Sequence, residues 1–147
     1  GPSRQILPDA QSPAPRETIM ARQKARYVGG FVLVIPRKNI AAYRRIAARA
    51  GKVWRKYGAL DYKECIGDDL NPKEMGKLRG FRKLTKAKPN ETVVFSYITY
   101  TSRAHRDRVN ARVMKDPLMN DPKFLDQAMP FDMKRMSWGG FSVLVDA

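Results

Sequence analysis

Two nine-residue runs constrain this chain more than anything else in it. Tyr27–Ile35 reads YVGGFVLVI and Thr92–Tyr100 reads TVVFSYITY. Each is apolar at odd and even positions alike. A strand exposed to water on one face alternates apolar with polar residues, so these two strands need cover on both faces.

Helices supply one cover. Ile40–Tyr57 places Ile40, Tyr43, Ile46, Ala47, Ala50, Val53, Trp54 and Tyr57 on one stripe, the spacing of an amphipathic helix. Asn39 is a suitable N-cap, and Gly58 supplies a left-handed stop. Ser102 caps a second helix over Arg103–Lys115, with Pro117 beyond its end. Asp121-Pro122 opens a short helical turn. Two further strands complete the set, Ala59–Ile66 and Ser137–Val145. Gly139 and Gly140 in the last one indicate a bulge or a close backbone approach. Residues 67–91 form a long loop rich in Gly, Pro and Lys, a length that usually has a function.

The order strand–helix–strand–strand–helix–strand is the ferredoxin-like, split β-α-β arrangement. The expected fold is α+β, with an antiparallel sheet and both helices on one face. The other face needs a second cover, and a second copy of the chain supplies it. The expected state is therefore a homodimer closing into a dimeric α/β barrel.

At 147 residues the chain suits one domain. Residues 27–147 carry the elements. Residues 1–26, with Pro2, Pro8, Pro13 and Pro15, read as an arm, either an added tag or the remainder of a processed leader, with Met20 as an alternative start. No apolar run is long enough to span a bilayer. The single cysteine, Cys65, fits a reducing compartment. The expected location is the cytoplasm, or an organelle matrix if a leader was removed.

Catalytic candidates are few. His105 is the only histidine, which excludes multi-histidine metal sites. Its two readings are a packed histidine and a proton donor or acceptor at a pocket. Cys65 could join it only if the fold brought them together. Glu64 shares a strand face with Leu60, Tyr62 and Ile66, so it needs a partner, for which Arg103 or Arg106 would serve. Trp54, Tyr57, Tyr97, Tyr100, Phe131 and Trp138 are candidates to line a cavity, with Trp54, Arg103 and Trp138 as its named pocket residues. No metal or cofactor is expected, because no phosphate loop, ligand cluster or serine elbow is present.

Charge is the strongest functional clue. The formal net charge is +15, which costs stability through self-repulsion and favours polyanions. Residues 18–60 contain no acid. Arg45, Arg49, Lys52 and Lys56 form a stripe opposite the apolar face of the first helix, with Arg44 beside it. The long loop adds Lys77, Arg79, Arg82, Lys83, Lys86 and Lys88 around Phe81. Residues 121–147 sum to −1. The expected partner is RNA, a ribonucleoprotein or another polyanion, bound by a non-enzymatic accessory or structural protein, although the residues leave enzymatic activity open. The alternative is a barrel that binds, or weakly transforms, a small molecule.

Four stretches carry a resemblance. They are Tyr27-Val28-Gly29-Gly30-Phe31-Val32 with Pro36, the segment Trp54–Gly67, the run Ser102–Asn110, and Met129–Met136 with Gly139-Gly140-Phe141. In these the chain resembles the YbaA-like family of small bacterial proteins of unknown function, over about residues 26–147. The resemblance implies a dimeric α/β-barrel fold and no defined activity. The wider barrel superfamily includes cofactor-independent monooxygenases, haem-handling enzymes and small-ligand binders. The arm and the strong positive charge lie outside what that family leads one to expect.

Overall fold

A four-stranded antiparallel sheet, in the order β2-β3-β1-β4, carries the molecule. The computed structural model describes residues 24–147. The two runs with two apolar faces became the central strands, β1 (Tyr27–Pro36) and β3 (Glu91–Tyr100). They pair along ten residues, from Tyr27 opposite Tyr100 to Pro36 opposite Glu91. The shorter strands, β2 (Asp61–Ile66) and β4 (Ser137–Ser142), take the edges. This placement follows burial: strands with two apolar faces lose most if left at an edge.

Helix α1 (Ile40–Lys56) lies across one face of the sheet and buries Ile46, Ala47, Gly51 and Val53. It stops where Gly58 adopts a φ of 111°. Asn39 occupies the predicted N-cap position but makes no cap bond. Its Nδ2 instead donates to the Pro130 carbonyl across 2.9 Å, tying the helix start to the segment before β4.

The long loop is less irregular than predicted. It holds a 3-10 turn at Lys73–Met75 and a short helix, α2 (Phe81–Thr85). Phe81 meets Phe95 edge-on, with ring centroids 6.2 Å apart. Phe95 points away from α1, so α2 covers part of the opposite face of the sheet and leaves the rest open. That cover explains why Val34 and Val93, paired in register, are each only 2% exposed.

Helix α3 (Arg103–Val113) begins at Ser102, whose side chain accepts the His105 N–H as predicted. It returns Val109 and Val113 to a core with Tyr27, Val53, Ala59, Ile98 and Tyr100. Helix α4 (Pro122–Leu125) is capped by Asp121. The close approach expected at the β4 glycines exists. A Cβ on Gly140 would collide with the Tyr27 hydroxyl and crowd Arg106.

The predicted arm falls mostly outside the described residues. Arg26, at its end, is fixed: its N–H donates to Tyr100 and its carbonyl accepts from Val143, each at 2.9 Å. Among the described residues, no helix is long and apolar enough to cross a membrane.

Candidate functional site

Between α1 and the sheet lies a cavity of about 240 Å³. Its walls are almost entirely apolar, and the polar groups at its floor come from neighbouring strands. Alternation along β2 turns Tyr62 and Glu64 towards α1, and alternation along β3 turns Ser96 and Ile98 the same way. Glu64 and Ser96 are direct register partners.

Glu64 has the partner that a carboxylate in an apolar setting requires, though not an arginine. Tyr43 on α1 donates its hydroxyl to Oε1 at 2.6 Å, and Tyr62 donates to Oε2 at 2.7 Å. Arg106 instead bonds Asp107 and lies over the Tyr27 ring. Arg103 is exposed on the first turn of α3 and does not line the cavity. The reason is distance along the strands. Arg103 and Arg106 follow the Tyr100 end of β3, whereas Glu64 sits opposite its middle. Burial, and then the Glu64 carboxylate, raise both tyrosine hydroxyls above the usual phenol range. Both therefore remain protonated donors.

Ser96 is 5% exposed and lines the same cavity. Its hydroxyl makes no hydrogen bond to any described residue. The segment after α3 closes the cavity from the far side, with Met119, Phe124, Met129, Phe131, Met133 and Met136.

The predicted aromatic lining divides. Trp54 and Phe131 line the cavity. Trp54 is fixed there by donation from Nε1 to Asn110 Oδ1 at 3.1 Å. Tyr57 and Tyr100 belong to the core. Trp138 is 68% exposed on the edge strand, stacked on Phe31. Its register with Phe31 and Ser96 puts it on the α1 face, but at the sheet edge and outside the cavity lining, where with Phe31 it borders a depression that reaches Tyr97.

His105 is a packed histidine. Its Nδ1 accepts the Thr101 N–H at 3.0 Å, and its ring meets Tyr100 edge-on. Burial holds its pKa below the usual imidazole range, the Arg108 charge adds to this, and a hydrogen bond with the Gly58 backbone opposes it. Cys65 does not join it. Cys65 is exposed on β2, opposite Phe95, five residues from the Tyr100 that packs on His105. At about 3.3 Å per residue they are separated by roughly 16 Å. The fold therefore forms no Cys–His pair. No group of three or more metal-binding side chains occurs among the described residues.

The basic residues fall on two sides of the sheet. Arg44, Arg45, Arg49 and Lys52 stand exposed on α1, with no ion pair to any described residue. Lys56 is bound to Asp116 at 3.2 Å, and Arg55 donates to the Leu60 carbonyl. The loop residues Lys77, Arg79, Lys83, Lys86 and Lys88 are exposed as well, but α2 packs on the opposite face from α1. Arg82 is committed to structure, donating to the carbonyls of Glu91 at 2.9 Å and Lys88 at 2.6 Å. The α2 part of the predicted helix-and-loop surface thus lies across the sheet from the α1 stripe, while Lys86 sits at the sheet end, its carbonyl accepting from Arg135.

Comparison with known proteins adds a lineage. Residues 26–133 match the family model described as "Protein of unknown function (DUF1428)". The chain is 42% identical over 121 residues to the "Uncharacterized protein YbaA" of Escherichia coli K12, a match covering 82% of this chain and 98% of that protein. The YbaA of Shigella flexneri matches to the same extent. With a family model spanning most of the domain and relatives aligned almost end to end, this chain belongs to the DUF1428 family.

Proposed function

We propose that the protein is a ferredoxin-like subunit that pairs through the open face of its sheet into a dimeric α/β barrel, and that it acts as an accessory RNA-binding protein. The strand order β2-β3-β1-β4, with the long helices on one face, supports the ferredoxin-like reading. The exposed apolar residues Phe95 and Phe141 on the open face support the pairing. In such a dimer each α1 faces outward.

The observation that carries the RNA reading is the bare basic stripe of α1. Arg45, Arg49 and Lys52 span about 10 Å along the helix axis at ~1.5 Å per residue. Ordinary solvated faces mix signs, yet α1 has no acidic residue. The fold gains nothing from this arrangement, whereas a phosphate backbone would be attracted by it.

The test is binding of a labelled single-stranded RNA, followed by fluorescence anisotropy against salt. Each phosphate neutralised contributes a log–log slope of about −0.7 for single strands, so the stripe gives roughly −2. The triple variant Arg45→Glu, Arg49→Glu, Lys52→Glu should abolish that component. Absence of binding at low salt, or a slope that the triple variant leaves unchanged, would remove the RNA reading.

A further inference from the structure

From the floor of the inner cavity we infer a second, independent site: the space between α1 and the sheet binds a small neutral aromatic molecule bearing a hydroxyl group. Ser96 is nine-tenths buried, lines the cavity, and has no hydrogen-bond partner among the described residues. A buried hydroxyl left unpaired is costly and calls for a partner from outside the protein. Water would find the same two polar groups, Ser96 and Glu64, but it would leave the apolar walls around them uncovered, which an apolar body carrying a hydroxyl would not.

The two polar groups define the ligand between them. They are cross-strand partners, which puts their Cβ atoms about 5 Å apart. Each Glu64 oxygen accepts one tyrosine proton, and a carboxylate oxygen has a further lone pair. Ser96 has an unused proton. One hydroxyl group on a ligand can donate to Glu64 and accept from Ser96. A carboxylate cannot donate, and Glu64 repels it. A cation leaves the Ser96 proton unused and must enter a chain of net charge +15.

The walls set the rest. Trp54, Tyr43, Tyr62 and Phe131 offer ring faces and edges, and the methionine cover is adaptable and favourable towards aromatics. A cavity of about 150 Å³ holds benzene, so about 240 Å³ accommodates a larger ring system.

The experiment uses 2-naphthol, neutral at pH 7, with its own fluorescence as the signal. Naphthalene and 2-naphthoate serve as competitors at equal concentration. Saturable 2-naphthol binding is expected, with both competitors weaker by about tenfold. Ser96→Ala should weaken 2-naphthol several-fold while leaving the melting temperature unchanged, because that hydroxyl makes no bond to any described residue. Glu64→Gln should narrow the gap between 2-naphthol and 2-naphthoate. If Glu64→Gln fails to fold, Ser96→Ala and the competitor ranking still decide. No saturable binding up to about 1 mM, equal binding of naphthalene, or indifference to Ser96→Ala would each overturn the proposal. RNA plays no part in this assay, so its outcome is separate from that of the basic stripe.

Discussion

Gly51 of α1 lies against the ring of Tyr62: a Cβ at position 51 would stand 2.8 Å from two of its ring carbons. The absence of that single carbon sets how closely α1 approaches β2, and so whether Tyr43 of α1 reaches Glu64. Gly51→Ala should gain about 1 kcal/mol of helix propensity and lose about 1–3 kcal/mol to overpacking. A net loss of about 1 kcal/mol is expected in urea unfolding, and the displaced Tyr62 should give up its bond to Glu64. A stabilised Gly51→Ala variant would show that α1 can move off the sheet at no cost.

His105 makes stability depend on pH. Its folded pKa is below the reference value of 6.5, so the unfolded chain takes up the proton first. Stability from this group is fully present above pH 6.5 and declines as pH falls towards the folded pKa. Protonation also ends the Thr101 N–H bond to Nδ1. Melting curves between pH 7.5 and 5 should show this loss, and His105→Gln should flatten it. An identical slope in the variant would assign the titration to other groups.

Asp116 joins the end of α1 to the turn after α3. It is 4% exposed and accepts from Tyr57 Oη at 2.7 Å, the Leu118 N–H at 2.9 Å and Lys56 Nζ at 3.2 Å. The Tyr57 hydroxyl, the Leu118 amide and Lys56 together hold its carboxyl below the usual range. Its stabilising effect is present above about pH 4 and lost as pH falls through the lowered value. Asp116→Ala strands the Tyr57 and Leu118 donors and should lower Tm by about 5–10 °C at pH 7. Lys56→Ala, which removes only the exposed partner, should change it little.

The open sheet face gives the test of the dimer. Phe141 is 60% exposed there and Phe95 46%. If this face pairs two copies, Phe141→Lys should shift the protein to a monomer in sedimentation equilibrium while the monomer stays folded. Unchanged mass would place the contact elsewhere or show the protein to be a monomer throughout.

Much of the architecture was legible because it depends on local rules. Runs with two apolar faces mark central strands, a 3.6 period marks α1, and Gly58 and Ser102 mark a stop and a start. Asn39 shows the limit of such rules. Its position favoured a cap, yet its side chain went to Pro130, ninety-one residues away, because a tertiary acceptor competed successfully with the local one. Glu64 shows the same limit. Its strand face was readable from alternation, but its partner was not. Arginines looked chemically suitable, while the helix phase and its distance from the sheet brought Tyr43 instead. Ser96 gave a faint signal, the one serine of β3. Without the register, nothing showed that it faced Glu64.

By itself, the sequence determined the four strands and two long helices, the capping of α3, the acid-free stretch through α1 and the two apolar faces of the central strands. These follow from neighbours a few residues apart and from net charge, which the chain carries in any conformation. Only the tertiary structure decided that Glu64 meets two tyrosines, that His105 and Cys65 lie apart, and that α1 and α2 sit on opposite faces of the sheet. Strand alternation has a period of two and fixes a face. Which residue lies opposite, and which element covers it, depends on pairings between distant parts of the chain.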